Sequence, residues 1–258
     1  MSHPWFARPG PRVLAHRGLL PADAEGIAEN SFAAVAAAHA AGAAYVESDC
    51  HLTADGEVVL FHDDDLSRVT GDPRPVADVP LAELERLMAD IGGLITLRQA
   101  LEAFPDLRFN LDVKAQAAAA PVGRIVAPHA ERVLLASFSD ARRRTALEAA
   151  ERFGRGIRPA TSAGTATIGR TLSALAVRST PLVRRALAGV DALQVPERQG
   201  PVRVVTPRLI EAAHACGVEV HVWTVNDPLH MRRLLDLGVD GLVTDRADVA
   251  LRVVAEQR

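Results

Sequence analysis

Histidines and carboxylates, the side chains that can move protons and bind metal ions, collect at the ends of short apolar runs. His16 ends the run RVLAH, Glu47 and Asp49 lie within YVESDCHLT, His62 ends VVLFH, and Asp112 lies within RFNLDVK. Imidazole groups titrate near neutral pH and therefore suit general acid–base catalysis. Carboxylate oxygens suit the hard cations Mg²⁺ and Ca²⁺. These residue types predict proton transfer beside a divalent cation.

Lys114 is the only lysine in a chain whose other basic residues are all arginine. Side chains two apart along a strand point the same way, so Asn110, Asp112 and Lys114 share one face, and Glu47 and Asp49 share another. Converging carboxylates would repel one another unless a divalent cation compensated them. The lysine would neutralise residual charge or hold a phosphate as a point charge. A buried salt-bridge network without a metal is the alternative, and the pattern leaves it open.

Predicted strands and helices, which must position these groups, alternate along the whole chain. Eight β/α units in about 250 residues predict a (β/α)8 TIM barrel of the α/β class. After the second barrel strand, the ADGE turn and residues 58–62 predict a hairpin-like excursion. Catalytic groups of such barrels lie at the carboxyl ends of the strands, where the histidines and carboxylates fall. The predicted barrel strands are residues 12–16, 45–53, 108–114, 132–138, 156–162, 191–196, 219–225 and 241–245.

Helical patterns fill the segments between these strands. Asn30 or Ser31 is predicted to cap the first helix, and Thr206 with Pro207 to begin a later one. Residues 170–188 have a helical pattern interrupted by Pro181. A doubly wound open sheet is the competing fold, but no GxGxxG follows the first strand. Without a linker or composition break, residues 1–258 are predicted to form a single domain.

The composition is that of an ordinary globular protein, with 258 residues, 48% hydrophobic and 24% charged. The formal net charge of -3 gives no reason to expect nucleic acid or an anionic membrane as a partner. The two cysteines, Cys50 and Cys216, form no disulfide framework and no CxxC pair. No secretory apolar core is present, and no apolar run approaches the roughly 20 residues that span a bilayer. We therefore expect a cytoplasmic protein without a stable membrane anchor; its oligomeric state is not predicted.

Several motifs together resemble those of the glycerophosphodiester phosphodiesterase family. They are, in order, LAHRG, ENS, VESDCHLTADGEVVLFHDDDLSRVTG, NLDVK, VWTVN and GLVTD. The resemblance runs from Ala15 to Asp245, and only residues 154–201 carry no motif that aligns. It implies a TIM barrel that hydrolyses small-molecule glycerophosphodiesters to glycerol 3-phosphate and an alcohol with the help of a divalent metal, Mg²⁺ or Ca²⁺.

The resemblance also implies a role for each matching residue. His16 and His62 would form the acid–base pair, with His16 favoured as the acid and His62 as the base, although the reverse is open. The nucleophile would be water or the glycerol 2-hydroxyl of the substrate. Glu29 and Asn30 match the family's ENT element, with serine in place of threonine. The remaining implied roles are phosphate binding by Arg17 and Lys114, metal binding by Glu47, Asp49 and Asp112, a place at the barrel mouth for Trp223, and support from Asp63.

Asp112 is the principal departure from the family, which usually has glutamate at this position. The side chain is one methylene shorter, which predicts a weaker metal site, an altered metal preference or binding through water. Two alternatives to the diesterase follow from the same motifs. One is a phospholipase D-like enzyme acting on lysophospholipids, and the other is a non-catalytic phosphodiester-binding barrel. The sequence does not identify the alcohol moiety of the substrate.

Overall fold

The computed structural model describes residues 3–21, 26–154 and 156–257. Short, largely buried strands alternate with helices, as the sequence predicts. Their many valine and leucine side chains suit parallel strands that are covered on both faces. The strands, in chain order, are β1 (Arg12–His16), β2 (Tyr45–Leu52), β3 (Val58–Leu60), β4 (Arg108–Val113), β5 (Val133–Ala136), β6 (Ala160–Thr161), β7 (Ala192–Pro196), β8 (Arg198–Gln199), β9 (Val202–Arg203), β10 (Glu219–Trp223) and β11 (Gly241–Thr244).

Eight of these strands form a nearly closed parallel barrel. They are joined in the order β6, β5, β4, β2, β1, β11, β10, β7. An isolated parallel bridge between Ser162, just after β6, and Ala192 of β7 links the two ends of this row. The pairing of β1 with β11 brings the first and last strands together. The predicted (β/α)8 barrel is confirmed, and the doubly wound alternative is wrong.

Helices follow the strands and pack on the outside of the barrel. Ser31 caps α1 by accepting a hydrogen bond from the Ala34 amide, and Thr206 caps α9 in the same way. The helices are α1 (Phe32–Ala40), α2 (Ser67–Thr70), α3 (Leu81–Met88), α4 (Leu97–Ala103), α5 (Ala119–Val126), α6 (Asp140–Phe153), α7 (Thr165–Ala176), α8 (Thr180–Leu187), α9 (Pro207–His214), α10 (Pro228–Asp236) and α11 (Ala247–Glu256). None of these described helices is long and apolar enough to cross a bilayer.

The excursion and the middle of the chain refine the sequence prediction. β3 pairs antiparallel with β2, with Cys50 opposite Leu60, which confirms the hairpin-like excursion. The strand predicted for residues 156–162 is confined to β6. The helical pattern of residues 170–188 belongs to two helices, because Pro181 lacks the amide that would continue α7 and instead lies in the first turn of α8. The short β8–β9 hairpin after β7 has no counterpart in the predicted elements.

An amino-terminal segment closes one end of the barrel. Trp5 is fully buried, and its indole N–H donates to the Phe109 carbonyl at 3.1 Å. The Tyr45 hydroxyl donates to the Trp5 carbonyl, also at 3.1 Å. Arg12 forms a 2.6 Å ion pair with Glu219 at the start of their strands. Because this end is filled, the open end of the barrel is the one at the carboxyl ends of the strands.

Candidate active site

Three buried carboxylates meet near the carboxyl ends of β2 and β4. The strand register places Glu47 beside Asn110 and Asp49 beside Asp112. Each of the three carboxylates is at most 8% exposed. The ammonium of Lys114 lies 3.0 Å from Asp49 Oδ1 and 2.8 Å from Asp112 Oδ2. The two predicted polar faces therefore converge, and the lone lysine compensates part of their charge.

The charges of this cluster shift the titration of its members. Burial, followed by the neighbouring charges of Asp49 and Asp112, raises the pKa of the Glu47 carboxyl. Burial also raises the pKa of Asp112, although Lys114 opposes that effect. Burial alone would lower the pKa of Lys114, but Asp49 and Asp112 raise it. Lys114 therefore stays charged, but its single positive charge does not balance the negative charges of the carboxylates around it.

His16, at the end of β1, is held by a carboxylate from the end of the last strand. Its Nδ1 lies 2.6 Å from Asp245 Oδ1. Asn226 Nδ2 donates to the other oxygen of Asp245 at 2.7 Å. The hydrogen bond from His16 lowers the pKa of Asp245. Because the carboxylate accepts from Nδ1, the Nε2 atom is left for chemistry, and it lies 3.9 Å from Glu47 Oε2.

His62 repeats this arrangement on the loop after β3. Its Nδ1 lies 2.6 Å from Asp63 Oδ1, and Arg68 Nε donates to Asp63 Oδ2 at 2.6 Å. Partial burial would raise the pKa of Asp63, but the hydrogen bonds from Arg68 and His62 lower it. The His62 carbonyl also accepts a hydrogen bond from His51 Nε2 at 3.2 Å. The backbone and the ring of His62 are therefore both fixed, the backbone by His51 of β2.

The turn after β1 places Arg17 against the carboxylates. Arg17 adopts a left-handed backbone with φ of 57°, and Gly18 follows with φ of 89°. A Cβ atom at Gly18 would lie 2.6 Å from the backbone of Ala34, so the glycine is required by both conformation and space. Arg17 Nε then lies 3.4 Å from Asp49 Oδ2. Asn30 Nδ2 donates to the same oxygen at 3.0 Å, which gives this residue a supporting role.

Glu29 connects the two halves of the site. Its Oε1 accepts from Arg17 Nη1 at 2.7 Å and from Arg68 Nη2 at 2.5 Å. Arg68 in turn holds Asp63, which holds His62. A continuous chain of charged hydrogen bonds therefore runs from the predicted phosphate-binding arginine to one histidine. Such connected networks fix side-chain geometry more firmly than isolated surface pairs.

The fit of a divalent cation rests on the oxygens of the carboxylate cluster. The described residues include no three His, Cys, Asp or Glu side chains arranged to hold a metal ion, and Lys114 lies between two of the predicted ligands. Two buried oxygens, Glu47 Oε2 and Asp112 Oδ1, nevertheless have no hydrogen-bond partner in the part of the chain that the structure describes. Buried oxygens without partners are costly, and oxygens of this kind bind hard cations. The oxygen donors suit such an ion chemically, and Glu47, Asp49 and Asp112 remain predicted ligands.

Two aromatic side chains border the opposite part of the mouth. Trp223 ends β10, as predicted, and is partly exposed. Phe138 lies in the loop between β5 and α6, and its ring centroid is 6.0 Å from that of Trp223. The Lys114 ammonium lies 5.6 Å from the Phe138 centroid. Phe138, Asp245, Asn226 and Arg68 are site residues that the motif reading does not assign, although the first three lie at or just after the ends of predicted strands.

A barrel with two histidine–aspartate pairs, an arginine, a lysine and converging carboxylates at its open end is typical of a phosphoric diester hydrolase. Residues 16–249 match the glycerophosphoryl diester phosphodiesterase family. A Mycobacterium tuberculosis protein named probable glycerophosphodiester phosphodiesterase 2 is 37% identical over 249 residues, which cover 95% of this chain and 91% of that protein. The chain therefore belongs to the glycerophosphoryl diester phosphodiesterase family.

Solved structures agree with this assignment. The glycerophosphodiester phosphodiesterase of Thermotoga maritima has a TM-score of 0.71 at 26% identity, with 97% of this chain and 100% of that chain covered. A phosphodiesterase of Oleispira antarctica, solved in complex with sn-glycerol-3-phosphate, has a TM-score of 0.72 at 24% identity, with 95% of this chain and 97% of that chain covered. The second likeness concerns the fold, which both structures share with this protein.

Proposed function

We propose that this protein hydrolyses glycerophosphodiesters to glycerol 3-phosphate and an alcohol, with His16 and His62 transferring the protons. The observation that carries the proposal is the pair of matched histidine–aspartate contacts. In each, Nδ1 lies 2.6 Å from an aspartate oxygen, and both histidines lie at the open end that also carries the Lys114–carboxylate cluster. Two oriented imidazoles beside Arg17, Lys114 and a predicted cation site suit the cleavage of an anionic diester.

The proton transfers follow from the tautomer that each aspartate imposes. With Nδ1–H directed to a carboxylate, Nε2 of the neutral ring accepts a proton, and Nε2–H of the protonated ring donates one. We assign His62 as the base, because its side chain is 31% exposed and water can reach it, and His16, at 17%, as the acid. The base accepts a proton from the attacking hydroxyl, and the acid protonates the leaving alkoxide. Each such transfer is typically worth about 10² to 10⁴-fold in rate.

Two basic residues, Arg17 and Lys114, would bind the phosphate of the substrate. Arg17 and Lys114 are each held by at least two carboxylates, so their charges are fixed in place before a substrate arrives. They would neutralise the diester and stabilise the charge that develops on its non-bridging oxygens. Glu47, Asp49 and Asp112 would hold a divalent cation. When bound, that ion would supply Lewis-acid neutralisation of the phosphoryl group.

The two candidate nucleophiles, water and the glycerol 2-hydroxyl, can be distinguished by their reaction products. Attack by the glycerol 2-hydroxyl would release the alcohol first and leave a cyclic phosphate, which water would then open. Attack by water would give glycerol 3-phosphate directly. We propose direct attack by water, because the His62 side chain is 31% exposed and therefore open to solvent. A cyclic phosphate that accumulates early and then decays, observed by ³¹P NMR, would contradict this step alone.

A product assay tests the proposed function as a whole. Purified protein supplied with Mg²⁺ or Ca²⁺ should release glycerol 3-phosphate from at least one member of a panel of glycerophosphodiesters with choline, ethanolamine, glycerol and inositol alcohols. The matched control is protein treated with a chelator, in which release should fall. Failure to release glycerol 3-phosphate from every substrate with either metal would contradict the proposal.

A lysophospholipid is the second candidate substrate. A lysophospholipase D of Homo sapiens is 31% identical over 100 residues, which cover 33% of this chain. Phe138, with 59% of its surface exposed at the barrel mouth, is an apolar surface that an acyl chain could contact. Faster turnover of lysophosphatidylcholine than of glycerophosphocholine would favour this substrate. The non-catalytic alternative rests on the shorter Asp112, and tight binding of a diester without metal binding or turnover would favour it.

A further inference from the structure

Phe138 is an exposed aromatic residue on a firmly anchored loop. It is 59% exposed, although it lies directly between β5 and α6. Its carbonyl accepts a hydrogen bond from the Thr165 amide at 2.9 Å. On one side, Ser137 donates to the Val113 carbonyl at 2.9 Å, and on the other, Ser139 caps α6. Hydrogen bonds thus fix the loop at three points. The ring itself buries little apolar surface and so contributes little to the stability of the fold.

The strand order shows that this ring reaches across the mouth. β5 and β10 are separated in the barrel by β6 and β7. Even so, the Phe138 and Trp223 centroids lie 6.0 Å apart, with their planes inclined at 75°. The two rings therefore form a nearly right-angled corner over the β6–β7 side of the mouth. The histidines lie on the other side, on β1 and after β3.

Lys114 connects the corner to the phosphate-binding groups. Its ammonium lies 5.6 Å from the Phe138 centroid and is also paired with Asp49 and Asp112. A phosphodiester held by Lys114 would therefore place one of its two ester substituents beside the aromatic corner. The two carboxylates compensate the lysine charge, which reduces its repulsion of a second cation near the same ring.

The chemistry of the corner selects between the two substituents. The glycerol moiety carries hydroxyl groups that need hydrogen-bond partners, and a phenyl ring supplies none. A methylated quaternary ammonium makes no hydrogen bonds and is attracted to the faces of aromatic rings. Building on the proposed function, we propose that Phe138 and Trp223 form a specificity corner that binds the quaternary ammonium of the leaving alcohol, so that choline esters are preferred substrates.

A pair of substrates with the same shape isolates the cation–aromatic contribution. Glycerophosphocholine is compared with its 3,3-dimethylbutyl ester analogue, in which a neutral carbon replaces the nitrogen. In the wild-type protein, kcat/KM should favour choline by about two- to fivefold, the range expected for a cation over an accessible ring. Phe138→Leu keeps an apolar side chain but removes the ring. It should bring the ratio close to one by lowering kcat/KM for the choline ester more than for the neutral ester.

A matched control is available at the other end of α6, the helix that follows Phe138. Phe153, at the carboxyl end of α6, is 54% exposed and has the Arg152 guanidinium 5.9 Å from its centroid. It resembles Phe138 in exposure and in its neighbouring cation but lies far from the open end of the barrel. Phe153→Leu should leave the choline preference of the wild-type protein unchanged.

Binding of choline itself separates this inference from the proposed function. Choline and 3,3-dimethylbutanol are titrated against each protein, and binding is followed by ligand NMR, which needs no turnover. The inference expects choline to bind more tightly than the neutral alcohol in wild type and in Phe153→Leu, but not in Phe138→Leu. An unchanged preference in Phe138→Leu, or an equal loss for both ligands, would overturn it. Choline preference without any turnover would uphold the corner and contradict only the proposed hydrolysis.

Discussion

His16 Nδ1 and Asp245 Oδ1 lie 2.6 Å apart, although 229 positions separate the two residues in the chain. The contact exists because β1 pairs with β11, which sets Ala15 beside Thr244. Closure of the barrel therefore completes the proton-transfer group. The second pair, His62 with Asp63, is formed instead by sequence neighbours. One histidine thus depends on the whole fold for its orientation, and the other depends on a single loop.

We predict that Asp245→Asn lowers kcat/KM by about 10² to 10⁴-fold, because an amide no longer holds His16 in the tautomer with Nε2 free. Steady-state kinetics on glycerophosphodiesters measures the loss, and circular dichroism checks the fold. The matched control is Asp248→Asn, which removes a carboxylate paired with Arg246 at 3.2 Å outside the site. Equal activity of the two variants would contradict an orienting role for Asp245.

The second prediction concerns the histidines themselves. His16→Ala and His62→Ala should each reduce kcat by at least about 10²-fold while leaving the melting temperature close to that of the wild type. His214→Ala is a suitable control, since His214 forms a 2.7 Å pair with Asp240, away from the open end of the barrel. Kinetics and differential scanning fluorimetry on all three variants make the comparison. A loss of activity in His214→Ala as large as that in His16→Ala would show that the effect is structural.

The barrel and its polar strand ends could be predicted from the sequence because both depend on local periodicity. The partner of His16 could have been predicted too, since the first and last strands of a closed barrel are neighbours and Asp245 ends the last one. The pairing of Phe138 with Trp223 could not. It depends on how far two side chains reach over the short β6 and β7 strands, which no strand pattern encodes. Burial of Trp5 against the barrel interior is likewise a long-range packing result.

For Lys114, the residue type could be interpreted from the sequence, but the distances to its neighbours could not. Its type and position predicted a compact charge beside carboxylates, which the contacts with Asp49 and Asp112 bear out. The pattern left open whether a cation, a salt-bridge network or both would compensate those carboxylates. The answer depends on the distances between side chains on different strands. Only the folded arrangement supplies those distances.

The third prediction concerns the position of Lys114 between Asp49 and Asp112. Lys114→Met should lower the melting temperature in the presence of a chelator, because it leaves buried carboxylates without their paired charge. Mg²⁺ or Ca²⁺ should then raise the melting temperature of the variant more than that of the wild type, because the ion replaces the missing positive charge. Fluorimetric melts across a metal titration measure both effects.

The control for Lys114 is a cation from another ion pair. Arg158 lies 2.7 Å from Asp191, outside the carboxylate cluster. Arg158→Met should lower the melting temperature without enlarging the gain from metal. If added metal stabilises Lys114→Met no more than the wild type, the carboxylates do not form a cation site that competes with the lysine.

Asp112 is the subject of the fourth prediction. One of its oxygens is engaged by Lys114, and the other is buried without a hydrogen-bond partner among the described residues. Asp112→Glu, which extends the carboxylate by one methylene, should tighten Mg²⁺ or Ca²⁺ binding by about tenfold, and Asp112→Asn should weaken it by at least as much. Isothermal titration calorimetry measures each affinity without a substrate. Equal affinities in all three proteins would remove Asp112 from the ligand set.

The fifth prediction links the anchor of the Phe138 loop to pH. Asp140 begins α6 and accepts hydrogen bonds from the Thr167 amide at 3.0 Å and hydroxyl at 2.7 Å. Burial would raise the pKa of Asp140, but these hydrogen bonds and Arg143 lower it overall. A carboxyl whose pKa is lowered by folding stabilises the protein fully above its unfolded pKa of about 3.9, and the contribution disappears as pH falls through the folded value.

Asp140→Asn should therefore reduce the free energy of unfolding by about 1 to 3 kcal/mol at pH 7 and by less at pH 3, because pH 3 lies below the unfolded pKa of about 3.9 and part of the wild-type contribution is already lost there. Urea unfolding at the two pH values measures the difference. Asp106→Asn, which alters an exposed aspartate before β4, is the control and should change stability little at either pH. An equal loss at both pH values in Asp140→Asn would mean that packing rather than the charge of Asp140 holds α6 to α7, and so fixes the loop that carries Phe138.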